Sequence, residues 1–79
     1  MKVLYWLITG AGDPTRASVP LHVAANGSLE AGDDPVVAIA GDGTEYLVGD
    51  ALDRAEGVGV PPLRELFAKL RDHEVPVFV

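Results

Sequence analysis

Three runs of consecutive apolar residues constrain the fold of this chain more than any other feature. They comprise residues 3–8, 35–40 and 75–79, and their β-branched and aromatic members are typical of strands buried on both faces. Stretches with helical periodicity separate the runs. The resulting order, β-α-β-α-α-β, predicts an α/β fold with a parallel sheet, right-handed crossovers and helices on both faces. We therefore expect a three-layer α/β/α domain that covers residues 1–79.

The first helix is predicted to begin at Asp13 and Pro14, because Asp accepts a backbone hydrogen bond at a cap and Pro suits the first helical turn. Gly32 is placed to end this helix in the left-handed conformation. Pro20 removes one helical hydrogen bond, so we expect a kink near Arg16 or a break into two pieces. The buried face is expected to comprise Ala17, Leu21, Ala24, Ala25 and Ser28.

Two further helices are predicted between the second and third strands. The first would follow the turn at residues 41–43, with Thr44 as its cap. Its apolar face comprises Leu47, Val48, Ala51, Leu52 and Ala55. The second would follow the glycine-rich linker 57–60, and Glu65 and Lys69 are spaced for an ion pair along it. Its apolar face comprises Leu63, Leu66, Phe67 and Leu70.

Composition argues against several classes of function. The net charge of −6 and the pI near 4.5 argue against nucleic-acid binding, because phosphates attract Lys and Arg. The chain contains no Cys, which removes disulfides, thiolate metal sites and thiol nucleophiles. No apolar run approaches the roughly 18 to 20 residues of a membrane span. We expect a cytoplasmic protein that binds neither nucleic acid nor membrane.

The candidate ligand pocket lies where the first two strands end. In open parallel sheets, ligands bind beyond the carboxyl ends of the strands. A plain turn is nevertheless the favoured interpretation of the first loop, because the third glycine of the dinucleotide fingerprint is absent and Asp13 would repel phosphate. In the second loop Asp42 is better placed for function, but a turn Asp is again the favoured interpretation. The residues that would line such a pocket are Thr9, Gly10, Gly12, Asp42 and Gly43.

No catalytic constellation can be assembled from the reactive side chains. His22 falls within the first predicted helix and His73 at the end of the third, where packing and interaction with the helix dipole are the favoured roles. Ser18 and Ser28 lie on a predicted helix rather than at a strand end. Two histidines without a cysteine show no zinc-ligand spacing. We therefore predict no catalytic residue, no metal ligand and no cofactor.

Several stretches, in register over essentially the whole chain, carry a family resemblance. They are the first strand running into Thr9 and Gly10, residues 13–17, 27–32 and 36–42, the segment Gly-Val-Gly-Val-Pro-Pro-Leu at 57–63, and Val-Pro-Val-Phe-Val at 75–79. Together they resemble the DsrE/DsrF-like family of small α/β proteins, some of which are described as predicted peroxiredoxins. The segment 57–63, followed by a helix and the last strand, is the most specific part of the likeness.

The resemblance implies a doubly wound sheet larger than three strands, homo- or hetero-oligomers such as trimers or hexamers, and sulfur relay through a persulfide. The family's persulfide Cys lies in the loop after the third strand, a position that here would come directly after Val79. A histidine that many relatives carry near Thr9 and Gly10 is replaced, since Ala11 and Gly12 follow. On this resemblance the domain is expected to be incomplete at its C-terminus, and the chain is either a truncated member of the family or a degenerate one.

Two functions stay open at this point, and so does the question of whether the chain is an enzyme. The first is a DsrE-like protein related to persulfide carriers, with sulfur-relay proteins as partners, but inactive as given because it has no Cys. The second is a non-catalytic binding or assembly subunit on the same scaffold. Exposed sheet edges favour a homo-oligomer, with Trp6 or the apolar helix face within 63–70 near buried surface.

The first prediction concerns sulfur chemistry. The purified chain is expected to take up no stable persulfide, because the thiolate is the acceptor and none is present. The measurement is transfer of sulfur-35 from a persulfide donor, followed by denaturing separation of the chain. Label that stays on this polypeptide would contradict the prediction.

Overall fold

The computed structural model describes all 79 residues, which form three strands and five helical segments. The strands are β1 (Lys2–Leu7), β2 (Asp34–Ile39) and β3 (Val77–Phe78). The α-helices are α1 (Pro14–Val23), α2 (Ala51–Arg54) and α3 (Leu63–Asp72). A π-helical turn (Ala24–Ser28) continues α1, and a 3-10 helix (Gly41–Leu47) follows β2. No helix combines the length and apolar character that a membrane span requires.

The sheet is parallel, with the strand order β1-β2-β3. Successive side chains alternate between its two faces, as the pleat requires. Leu7, Val37 and Ile39 point to the face that the helices cover and are buried. Trp6, Ala38 and Phe78 occupy one register row on the other face. The predicted α/β class and the parallel sheet are confirmed.

The helices lie on one face of the sheet only. Helices α1 and α3 pack against each other. This is the arrangement expected when two crossovers of the right-handed type, which parallel sheets almost always use, run in the same direction along the strand order. The 79 residues therefore supply two of the three expected layers. The expectation that the strands are buried on both faces is wrong, because Trp6 and Phe78 are 54% and 62% exposed. The third strand is also shorter than the predicted 75–79.

Helix α1 begins and packs as the sequence predicts. The Asp13 carboxylate accepts a hydrogen bond from the Arg16 amide at 3.1 Å, and Pro14 occupies the first turn. All five predicted core residues of this helix are buried, and Gly32 has a φ of +82°. The α-helix passes through Pro20, which is only half-buried, and changes to π-helical geometry at Ala24. The discontinuity therefore falls four residues beyond the proline.

The single helix predicted across residues 44–55 is wrong. A 3-10 helix ends at Leu47, and the short α2 begins only at Ala51. Gly49 between them has a φ of +60°, a left-handed conformation that ends helical geometry. Leu47 and Val48 consequently lie on the surface, while Tyr46, outside the predicted apolar face, is buried. Thr44 does not cap a helix; its hydroxyl donates to the Gly41 carbonyl at 2.8 Å.

Helix α3 contributes Leu63, Leu66 and Leu70 to the core, as predicted. The expected ion pair of Lys69 with Glu65 is wrong. The Lys69 ammonium instead donates to Glu30 Oε1 at 2.6 Å and to the Asn26 side-chain carbonyl at 2.8 Å. Lys69 thus binds two acceptors, Asn26 and Glu30, in place of the single carboxylate of Glu65 on its own helix. The contact connects α3 to the segment between α1 and β2.

The second prediction concerns this contact. The hydrogen bond and charge of Lys69 hold the pKa of Glu30 below its ordinary value of 4.5. Because the folded-state pKa is depressed, the contribution to stability is present above pH 4.5 and is lost as pH falls through the folded-state pKa. Lys69→Met, which keeps the aliphatic stem, is expected to lower the free energy of unfolding modestly at pH 7 and less at pH 3. Urea unfolding at both values measures this.

Lys2→Met is the matched control, because Lys2 is exposed and forms no hydrogen bond. A Lys69→Met deficit that is as large at pH 3 as at pH 7 would contradict the assignment of the effect to the Glu30 pair.

Candidate functional site

Two places on this fold are candidates for function: the carboxyl edge of the sheet and its uncovered face. At the carboxyl edge, the loop after β1 meets the 3-10 helix that follows β2. Of the predicted pocket residues, Gly10, Asp42 and Gly43 come together here. A Cβ on Gly10 would lie 3.1 Å from the Asp42 Cβ. Thr9 is half-buried beside them, whereas Gly12 is exposed with open space around it.

Two residues that the sequence analysis did not single out hold this edge together. Glu45 Oε1 accepts a hydrogen bond from the Ala11 amide at 2.7 Å. The Tyr46 hydroxyl donates to the Gly10 carbonyl at 2.8 Å. Both follow Asp42 closely in the chain, but the helical periodicity assigned to residues 44–55 concealed them. The available signal in the sequence was Tyr46, an aromatic residue with a polar hydroxyl close to a glycine-containing turn.

The electrostatics of this edge are acidic. Burial raises the pKa of the Tyr46 phenol, and the charges of Glu45 and Asp13 raise it further. The Ala11 amide, which would otherwise be free to bind an anion, already donates to a carboxylate of the chain. This arrangement agrees with the interpretation of the loop as a turn rather than as a nucleotide site.

Two shallow cavities lie outside the predicted pocket. One, of about 250 Å³, is at the carboxyl edge and is lined by Ala11, Pro14, Tyr46, Ala51, Arg54 and Ala55. The other, of about 290 Å³, is at the amino ends of β2 and β3, with Lys2, Asp34 and His73 in its wall. None of the five predicted pocket residues lines either cavity.

The histidines and serines form local contacts. His22 Nδ1 lies 2.9 Å from the Asn26 side-chain nitrogen, and His73 Nδ1 donates to the Lys69 carbonyl at 2.9 Å. The Ser18 hydroxyl donates to the Pro14 carbonyl at 2.7 Å. No group of three carboxylates or histidines is arranged to hold a metal ion.

The uncovered face of the sheet is the larger feature. Its apolar residues, here called the open sheet face, are Leu4, Trp6, Val36, Ala38 and Phe78. Leu4, Trp6 and Phe78 are each more than half exposed. The only charges on this side of β1 and β2 are Lys2 and Asp34, which are register partners at the amino end. Aromatic side chains bury about 150–250 Å² each, so the face amounts to a patch of several hundred Å².

Fold and surface define a small α/β protein with a parallel sheet, helices on one face and an apolar surface on the other. No protein-family model, no curated protein and no solved structure matches the chain.

The third prediction tests the close packing at the carboxyl edge. A Cβ on Gly43 would collide with the Leu7 carbonyl oxygen, which is backbone and cannot move aside. Gly43→Ala is therefore expected to lower the free energy of unfolding by about 1–3 kcal/mol, the range for overpacking a well-packed site. Urea or thermal unfolding followed by circular dichroism measures the change.

Gly12→Ala is the matched control, because a Cβ at Gly12 meets nothing within 4 Å. It is expected to change stability by no more than about 0.5 kcal/mol. Equal destabilisation by the two substitutions would contradict a specific contact at Gly43.

Proposed function

We propose that this chain is a non-catalytic association subunit with a DsrE-like fold, which binds other polypeptides through the open sheet face. The single observation that carries the proposal is the exposure of Leu4, Trp6 and Phe78 on a face without helices. Exposed apolar patches of several hundred Å² on a monomer are often functional, because water contact with them is unfavourable. Association removes that surface from water.

The charge distribution supports the same proposal. The net charge of −6 favours solubility, yet this side of the sheet carries no charge on β1 and β2 except Lys2 and Asp34 at its amino end. Burial of this face therefore requires little desolvation of charged groups. Acidic residues lie instead mainly in the loops and on the outer helical surfaces, away from this face.

Sulfur transfer has no comparable support within these residues. The DsrE-like resemblance suggests a relation to persulfide carriers, but no thiol is present to carry the sulfur. The proposal accordingly assigns association, and not sulfur transfer, to this polypeptide.

In a preparation of the chain alone, copies are expected to cover one another's open sheet faces. The sequence analysis named two surfaces for such contacts, Trp6 and the apolar face of α3. Leu63, Leu66 and Leu70 of α3 are within the core of the protein, which leaves the Trp6 side. A homo-oligomer built through this side, with trimers or hexamers as the resemblance suggests, is part of the proposal.

The fourth prediction tests association. The double substitution Leu4→Ser and Trp6→Ser is expected to shift the chain from oligomer towards monomer, because it removes about half of the exposed apolar surface of the face. The measurement is light scattering coupled to size-exclusion chromatography over a range of micromolar concentrations, with circular dichroism to establish that the variant is folded.

Val19→Ser with Val23→Ser is the matched control, since these α1 side chains are 48% and 45% exposed on the opposite side of the molecule. The control is expected to leave the oligomer unchanged. A folded wild-type monomer under the same conditions, or equal dissociation of the control, would refute the proposal.

A further inference from the structure

A chain of side-chain hydrogen bonds joins α1 to α3 through Asn26. The Lys69 ammonium donates to Asn26 Oδ1 at 2.8 Å, and the side-chain nitrogen of Asn26 lies 2.9 Å from His22 Nδ1. Asn26 belongs to the π-helical turn that continues α1, and such turns are rare and frequent at functional sites. The Lys69 side chain is only 29% exposed and His22 is half-buried, so the chain of bonds is partly shielded from water.

The direction of each hydrogen bond follows from the position of Lys69. An ammonium group has donors and no acceptor, so the atom of Asn26 that faces it must be the carbonyl oxygen. The other polar atom of the amide is then the nitrogen, which only donates. His22 Nδ1 must therefore accept, which places the single proton of the neutral ring on Nε2. One charged donor thus fixes both the orientation of an amide and the tautomer of a histidine.

We infer that Lys69, acting through Asn26, holds His22 in the neutral Nε2–H tautomer, and that protonation of His22 breaks this chain of bonds. A protonated imidazole carries hydrogen on both nitrogens, so Nδ1 and the Asn26 nitrogen would be two donors face to face. Either the bond between His22 and Asn26 is then lost, or the amide turns and presents its nitrogen to the Lys69 ammonium. Imidazole titrates between about pH 5 and 8, so the connection of α3 to the π-helical turn is sensitive to pH in that range.

The charged groups around His22 come from the elements that pack against α1. On α3 these are Lys69, the exposed Glu65 one turn before it, and His73 just after the helix. Glu30, from the segment after the π-helical turn, remains paired with Lys69 in this range, because the pKa of its carboxyl lies below 4.5. The residues of β1 on the face that the helices cover carry no charge; they are Val3, Tyr5 and Leu7. Acid therefore removes one of the two acceptors of Lys69 and weakens the connection without abolishing it.

The other histidine of the chain provides an internal contrast. His73 Nδ1 lies 2.9 Å from the Lys69 carbonyl, which can only accept, so Nδ1 of His73 must carry the proton. Protonation of His73 at Nε2 leaves this bond intact, whereas protonation of His22 does not leave its own. In the neutral form of His22 the free nitrogen, Nε2, is a donor and cannot act as a general base. This assignment agrees with the proposed non-catalytic function but does not depend on it.

The fifth prediction concerns the tautomers of the two histidines. Nitrogen-15 NMR of the imidazole rings, at a pH where both are neutral, is expected to show Nε2–H for His22 and Nδ1–H for His73. Asn26→Asp is nearly isosteric but replaces the donor with a carboxylate that accepts from both neighbours. In this variant His22 is expected to change to the Nδ1–H tautomer, while His73 stays unchanged.

The pH dependence of stability is the second measurement. As the pH falls from about 8 to about 5, the wild type loses a hydrogen bond, whereas the carboxylate of Asn26→Asp gains a protonated imidazole as its partner. Urea unfolding across this range is therefore expected to shift in favour of the variant as the pH falls. Lys69→Met removes the donor that orients the amide and is expected to leave His22 as a mixture of tautomers. Lys2→Met is the matched control and is expected to leave both histidines unchanged.

Three outcomes would overturn the inference. An Nδ1–H tautomer of His22 in the neutral wild type would mean that the ring donates to the amide. An unchanged His22 tautomer in folded Asn26→Asp would show that the ring does not bind the side chain at position 26. Equal pH dependence of stability in the wild type and in Asn26→Asp would show that protonation of His22 does not break the chain of bonds. The wild-type NMR measurement needs no variant and stays decisive if a substitution prevents folding.

Discussion

The handedness of the two crossovers is the constraint on which the rest of this structure depends. Parallel strand-helix-strand connections are almost always right-handed, and in this chain the strands follow one another in the order β1-β2-β3 without reversal. Both connecting helices must then lie on the same face of the sheet. One face becomes the core, where Leu7, Val37 and Ile39 meet α1 and α3. The same geometry leaves Trp6 and Phe78 in contact with water.

Two surfaces outside the core, the carboxyl edge of the sheet and its open face, differ physically. At the carboxyl edge, the backbone groups of the loop after β1 are already satisfied by Glu45 and Tyr46, and Gly43 is in close contact with the Leu7 carbonyl. These contacts are internal to the chain, and a shallow cavity of about 250 Å³ lies beside them. The open sheet face has no such internal partners, since apolar side chains can be satisfied only by further burial. Association through this face is therefore the function that we propose for this chain.

Prediction from sequence succeeded where a local rule and the tertiary contacts agreed. The cap at Asp13, the buried face that includes Leu21, and the left-handed Gly32 all follow from neighbours within one or two turns. It failed where a distant contact prevailed and where a local break in the helix was overlooked. Lys69 pairs with Glu30, far away in the chain, and Gly49 interrupts a periodicity that looked helical. The candidate pocket was only partly predictable, because Glu45 and Tyr46 reach it through the folding of the 3-10 helix.

The sequence by itself determined the α/β class, the order of strands and helices, and the absence of a thiol, since each depends on composition or on local periodicity. Only the tertiary structure decided which face of each strand is buried. A continuous apolar run such as residues 3–8 carries no mark of which side the helices will cover. Which face the helices cover depends on the strand order and on the handedness of the crossovers, which are properties of the whole chain. As a result, Leu4, Trp6 and Phe78 are exposed on one surface.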